Sequence, residues 1–330
     1  MAAPTYIPFA ALHGEIAFGK ETVYTDYATP TIQIPHAGGS IGRFHVPIVG
    51  EAATSTAQGV IGAEAIRGLD FPALQFACLY GPDTRAILNA LITGSTLSGS
   101  TWAINDWPES YSVNVNFQRS GGNQARNLLG TFMESCALGV QVGGPMAAQM
   151  RLPATRLKDP ATATAIPTLA PTIALGPFIL KSCLLKHSET TTMGGAGTQV
   201  KFRGVALNIQ RGILTEHTSE GTEPTALVPT GFKSQGMLSH NLSPDLWTEF
   251  GTILAAEADG GFTTRYIELL FVQGGVTQRL TIPARIDCEQ FDFQSLAGPV
   301  GSPIRFFCGG DDSAGTGGVP TNPTIKFANA

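Results

Sequence analysis

The sequence predicts a mainly β protein: two tandem, similar β-sandwich or half-barrel modules, each with one flanking α-helix. Three observations carry that prediction. The C-terminal half repeats landmarks of the N-terminal half in the same order. Apolar and polar residues alternate with period two in most runs. Each half also holds one stretch with apolar residues at helical spacing.

The repeat is read from short matches. Phe117-Gln118-Arg119-Ser120-Gly121-Gly122 is echoed by Phe271-Val272-Gln273-Gly274-Gly275, a step of 153 residues between Gly121 and Gly274. Cys136 recurs as Cys288 at a step of 152, and Gly144-Pro145-Met146 as Gly298-Pro299-Val300 at 154. Upstream, Pro82-Asp83 with Ile87, Leu88 and Leu91 matches Pro244-Asp245 with Phe250, Ile253 and Leu254 at a step of 162, so the first copy carries about nine extra residues, placed near Thr93 to Thr101. The organisation expected is a first module over 1–157, a linker over 158–171, a second module over 172–308 and a Gly/Pro-rich tail over 309–330. A length of 330 residues also exceeds what one core usually serves.

The elements follow in order. Pro82-Asp83, with Ile87, Leu88, Leu91 and Ile92 behind them, predict a helix with Pro and an acid in its first turn. Tyr111 to Phe117 alternates Val113, Val115 and Phe117 against Ser112, Asn114 and Asn116, and predicts a strand with one wet face. Gly121-Gly122 and Gly274-Gly275 read as hairpin turns that need positive φ. Gly143-Gly144-Pro145 and Gly298-Pro299 read as turns of a second kind. Met146, Ala148, Met150 and Leu152 form another one-sided strand, as do Val205, Leu207 and Ile209, and then Leu280, Ile282, Ala284 and Ile286. The Ala/Thr/Pro stretch from Lys158 to Pro171 is a semi-extended linker. The second helix opens at Pro244-Asp245, with Trp247 placed on its apolar side. The tail from Gly309 is read as loop.

Composition narrows the function classes. Only 14% of residues are charged, against about a quarter in average soluble domains. With 43% hydrophobic residues, 39 Gly and 22 Pro, the chain buries a core and has surface suited to contact with copies of itself. A net charge of −5 without clustered Lys and Arg argues against a nucleic-acid reader. A mildly negative wall, however, suits a conduit that must not hold phosphates. The five cysteines (Cys78, Cys136, Cys183, Cys288, Cys308) show no CxxC pair and read as small buried hydrophobes in a reducing compartment. The N-terminus shows no signal-peptide pattern, and no apolar run reaches the roughly eighteen residues of a membrane span.

Motifs that promise chemistry lack their context. Gly38-Gly39-Ser40-Ile41-Gly42 matches G-x-S-x-G, but a strand-like run broken by Pro47 follows where a helix is required. His36 and His45 are too close in sequence to serve as its base, so a glycine-rich turn is expected. Gly194-Gly195-Ala196-Gly197-Thr198 lacks the Gly-Lys-Ser/Thr ending of a phosphate cradle and reads as a loop. Asp311-Asp312 has no further spaced oxygens for a cation. His13, His36, His45, His187, His217 and His240 are scattered, and no acid–base pair emerges. Trp102 and Trp107 offer stacking surfaces, while Trp247 reads as core. The expectation is no enzyme, with no catalytic, cofactor-binding or metal residue assigned.

One resemblance adds to this reading. Ala17-Phe18-Gly19-Lys20-Glu21-Thr22-Val23-Tyr24, then Ala28-Thr29-Pro30-Thr31, resembles the opening of the phage tail tube family, the major tail proteins of long-tailed phages. Ser112 to Phe117, Glu134-Ser135-Cys136-Ala137-Leu138 and Gly143-Gly144-Pro145 are similar to that family's middle block, and Phe202 to Gln210 to the strand that opens its second half. The resemblance implies a structural virion protein of the tail, assembled in the host cytoplasm. Its sandwich modules close in sixes into rings, and stacked rings form the conduit for DNA ejection. Two modules per chain imply a ring of three chains, with a hexamer as the open alternative. About four wall strands per module then give roughly 24 per ring, enough for an aqueous lumen. Other implied partners are tape-measure, terminator and distal tail proteins and passing double-stranded DNA, with no membrane. Asn114/Asn116 or Arg279/Thr281 are candidate lumen faces, and Gly50 to Ala63 and Gly212 to Leu227 are candidate arms between rings. A terminator, neck or capsid-decoration protein, a carbohydrate-binding sandwich and an esterase built on Ser40 stand as the competing readings.

Overall fold

The structure, a computed structural model, describes residues 15–35, 38–42, 48–55, 61–67, 72–95, 97–105, 107–117, 124–141, 143–158, 175–186, 197–199, 202–218, 224–240, 244–258, 264–287, 303–307 and 325–329. Before the 159–174 stretch lie β1 (Glu15–Lys20), β2 (Ile32–Pro35), β3 (Gly38–Gly42), β4 (Ile48–Ser55), β5 (Ile61–Arg67), β6 (Ala73–Leu79), helix α1 (Arg85–Thr93), β7 (Thr101–Ala103), β8 (Tyr111–Phe117), β9 (Gln124–Thr131), β10 (Ser135–Gln141), β11 (Ala147–Pro153) and β12 (Arg156–Leu157). After it come β13 (Ile179–Lys186), β14 (Gly197–Gln199), β15 (Phe202–Glu216), β16 (Ala226–His240), helix α2 (Pro244–Ala258), β17 (Thr264–Gln273), β18 (Val276–Asp287), β19 (Pro303–Phe307) and β20 (Lys326–Asn329). The protein is mainly β, as its alternation predicts.

Every strand pair is antiparallel, and one sheet dominates. It has thirteen strands in the order β14-β13-β17-β18-β19-β16-β15-β10-β11-β6-β3, with β20 and β7 attached beside β18. This sheet curls into a half-barrel. A second sheet, β12-β9-β8-β1-β2, lies over its first-half portion, and β4 and β5 form a separate ribbon. Phe18 on β1 meets Phe76 on β6 with ring centroids 6.1 Å apart, which closes the two layers. Within the second half the large sheet folds back on itself, packing Cys183, Leu185 and Ile267 against Leu238 and Ile304.

Each half carries a long hairpin followed by a helix. β15 and β16 run for 15 residues each, about 50 Å at ~3.3 Å per residue. In the first half β3 pairs with β6 and β4 with β5. α1 follows β6 and α2 follows β16. β1 pairs with β2 and β8, and β13 pairs with β14 and β17. β8 and β17 then enter hairpins with β9 and β18. The β17–β18 turn is Gly274-Gly275 at φ +57° and +79°, the left-handed pair that a two-residue hairpin demands. Gly121-Gly122 and Gly298-Pro299 lie outside the described residues. Gly143, at φ +75°, turns the chain as expected, with the Gly144 N–H donating to Gln141 O.

Several expectations fail because burial is decided by segments far along the chain. Ser112 and Asn114 are fully buried, because the 21–31 loop crosses β8. Ser112 Oγ donates to Glu21 Oε1 at 2.9 Å, and Asn114 Nδ2 donates to Tyr27 OH at 3.0 Å. Thr281 is likewise buried. Trp247, placed in the core from sequence, is 54% exposed, because α2 rests instead on Leu246, Phe250 and Ile253. The last residues of the tail are strand rather than loop. β20 pairs with both β18 and β7, and Ile325 and Phe327 are fully buried. The extra residues after α1 therefore have a structural use, since β7 holds the C-terminal strand. Most of the linker and of the tail lies outside the described residues.

Phe327 sits 6.4 Å from Tyr80 of the first half, within a chain of rings that continues through Phe178 to Phe271. Replacing Phe327 by Ala is expected to lower unfolding free energy by about 3–5 kcal/mol, measured by urea denaturation.

Candidate functional site

The surface with a distinct shape is the outward face of β6, β11, β10, β15, β16 and β19. A concavity of about 730 Å³ lies on it, and a neighbouring one of about 460 Å³ extends it toward Gly144 and Pro145. The register lines its residues up in rows across the strands. One row runs Ala77, Gln149, Ala137, Asn208, Gln235. The next runs Gln75, Arg151, Ser135, Gln210, Lys233, and a third runs Leu79, Ala147, Gly139, Ala206, Met237, Arg305. Alternate residues on the same strands (Cys136, Leu138, Met150, Leu207, Ile209, Leu238) are buried beneath.

The face is mostly uncharged, with Arg151 and the exposed Lys233 and Arg305 as its cationic points. Small residues make its floor, and primary amides give donors and acceptors that stay hydrated without net charge. Arg151 is offset by an ion pair with Glu134. The layer beneath this floor is tightly built, as Gly236 shows. It stands between Leu207 and Phe306 in the ladder. A Cβ there would run into the Phe306 ring and lie 2.7 Å from Ala206 O.

The face crosses the boundary between the halves without a break. β10 and β15 pair from Ser135↔Gln210 to Gln141↔Gly204. Side chains reinforce that joint. Arg211 of β15 is buried and donates to Asn105 O at 2.8 Å and Thr93 O at 3.3 Å, at the carbonyl end of α1. The Leu227 N–H on β16 donates to Tyr24 OH at 2.9 Å. Glu21, beside it, accepts from Gly130 N at 2.9 Å and Thr25 N at 3.0 Å. The Lys20-Glu21…Tyr24 stretch thus fastens the first half to the long arm of the second, a role no local pattern displayed.

The chemical motifs read from sequence do not converge. Gly38–Gly42 is strand β3 rather than the expected turn, with Ser40 opposite Gln75, and the next described element is strand β4. Gly197–Gln199, expected in a loop, is strand β14. His240 is buried, its ring edge-on to Phe250 at 5.8 Å, and His217 is half-buried on the arm. His13, His36, His45, His187, Asp311, Asp312, Cys288 and Cys308 lie outside the described residues. Among the described residues no three of His, Cys, Asp and Glu stand close enough to hold a metal ion, and no helix is long and apolar enough to cross a membrane. Trp102 is buried, and Trp107 is exposed on the segment after α1. Compared with known proteins, the chain matches no family model and no curated protein.

Cys78, Cys136 and Cys183 are buried free thiols. Burial pushes Cys78 and Cys183 up to about 12 and raises Cys136 as well. At pH 8 only ~1 in 10⁴ of a thiol with such a pKa is thiolate. In a Cys288→Ser/Cys308→Ser chain, Ellman's reagent at pH 8 should therefore react with none of the three until denaturant is added; prompt labelling would contradict the burial. Gly236→Val is expected to cost about 3 kcal/mol of stability, read from thermal or urea unfolding, since Phe306 has no free space to move into.

Proposed function

We propose that this protein is a structural wall subunit of a hollow tube, built from two tandem modules and acting as the tail-tube conduit of a long-tailed phage virion. The observation that carries the reading is the concave, amide-lined face that runs unbroken over strands of both halves. Such a face suits a lumen through which DNA must slide. Over most of it, hydrated amides and small residues offer phosphates little attraction and so little friction, with Lys233 and Arg305 as isolated cationic points.

The tandem-module part is supported by register. Ser135 stands opposite Arg151 in the first half, and Asp287 opposite Arg305 in the second, at steps of 152 and 154 residues. The same two steps carry Cys136 to Cys288 and Pro145 to Pro299. β8 and β17 begin 153 residues apart. If the halves are equivalent, the β10–β15 joint inside the chain is the template for the joint between chains. The outer edge of β3, at one end of the large sheet, is then where the next copy's second half would pair. A sheet edge used this way is removed from solvent, which closure of a ring requires. Three chains close such a ring by our reading, with about four wall strands per module.

The lumen residues in this reading are Gln75, Gln149, Asn208 and Gln235 with their small neighbours, in place of Asn114 and Thr281. The arm at Gly212 to Leu227 is only partly available for contact between rings, because Leu227 is buried against the first half. The ribbon at Gly50 to Ala63 is the cleaner test.

Electron microscopy and native mass spectrometry of the purified chain are expected to show rings of three copies that stack into tubes. Persistent monomers would overturn the proposal, and rings that never stack would favour a terminator. Deleting residues 50–63 should leave a folded protein that forms rings but no tubes.

A further inference from the structure

The two helices are treated very differently. α1 is buried at every position from Ile87 to Thr93, which requires cover on more than the side facing its own sheet. Part of that cover is the segment after it: the Asn105 N–H donates to Thr93 O, and the Glu109 N–H to Gly94 O. Part comes from the half that follows in the sheet, through the Arg211 contacts to Thr93 O and Asn105 O. α2 has only five residues, 259–263, between its end and β17, where α1 is followed by seventeen, 94–110, before β8. Its buried stripe is Leu246, Glu249, Phe250 and Ile253. The Glu249 carboxylate is tied to Arg265 Nε at 2.5 Å. The opposite side, with Trp247 at 54% and Leu254 at 46% exposure, also shows Thr248, Gly251, Thr252 and Ala255, with the exposed Asp245 at its edge.

We infer that this side of α2, centred on Trp247, is an assembly contact, covered by the first half of a second copy of this chain. The inference rests on the tandem-module reading proposed above. Inside the chain, the half that follows α1 in the sheet reaches back and clasps the helix. The half that follows α2 belongs to the next copy, so the next copy supplies the missing cover. A side made of Trp, Leu, Ala, Gly and Thr is cheap to desolvate, since no ion within it loses its hydration. A central aromatic of this kind supplies much of the energy of a protein contact.

The test uses the full chain. Trp247→Glu/Leu254→Glu changes two half-exposed residues, and circular dichroism should show the parent's fold. Ring formation in native mass spectra should fall at least tenfold. In a Trp102→Phe/Trp107→Phe background, Trp247 is the only tryptophan of the chain's three. Acrylamide should quench it in dilute monomer and severalfold less in assembled rings, a readout that stands even if the charged variant misfolds. Rings formed as readily by the charged variant, or an equally quenched Trp247 in wild-type rings, would sink this contact and leave the tube reading intact. A wild-type chain that stays monomeric at all concentrations would sink both.

Discussion

Seven backbone pairs between β10 and β15 carry the large sheet from one half of the chain into the other, and the rest of the architecture is arranged around that joint. A β-rich half made alone would leave open edges, and an open edge attracts any free strand. Pairing one half's edge with the other's disposes of both. The joint also aligns the alternation of the two halves, so that Leu138 and Leu207 face the core while Ala137 and Asn208 face outward. A slip of one residue would turn both sets inside out. The Arg211 clasp on α1, the Tyr24 link to Leu227 and the aromatic chain from Phe327 to Phe271 all hold this register. Each of these contacts joins residues more than ninety positions apart in the sequence.

The interior is less apolar than the composition implies, and its charges are placed with care. Lys186 and Glu268 are almost fully buried and meet at 2.8 Å between β13 and β17, with Arg279 Nε 3.7 Å from the second carboxylate oxygen. Glu249 and Arg265 fix α2 to β17 in the same way. Such pairs add little over apolar residues of the same shape, but stranding one partner costs about 3–5 kcal/mol. Their effect is therefore to forbid other packings more than to deepen this one. Using several of the scarce charges inside leaves few on the outward faces. That agrees with a protein whose surfaces meet one another and, in the proposed tube, let a polyanion pass.

Legibility in the sequence followed the range of the interaction. Hairpin turns and strands were readable because a Gly-Gly pair or a period of two expresses constraints within a few residues, as at Gly274-Gly275 and at Met146 to Leu152. The second helix was readable from Pro244 for the same reason, and the first from the spacing of Ile87, Leu88 and Leu91, although α1 begins at Arg85 and leaves Pro82-Asp83 in the turn before it. Trp247 was misplaced because two arcs of that helix are apolar, Leu246-Phe250-Ile253 and Trp247-Gly251-Leu254, and no local rule chooses between them. Ser40 read as a turn because its glycines suit one; a strand forms because β6 offers a ladder. The concave face was missed entirely. Its residues are common amides and alanines, and only the register across six strands makes them a surface.

By itself the sequence determined the period of each strand, the two helices, the turns and an ordered echo between the halves, since these are near-neighbour effects written in side-chain size, branching and backbone freedom. Which face of each strand stays wet, where the C-terminal strand inserts, and that both halves share one sheet were decided by tertiary structure alone. Burial depends on what lands on a surface from far along the chain, and that information is held by no single segment.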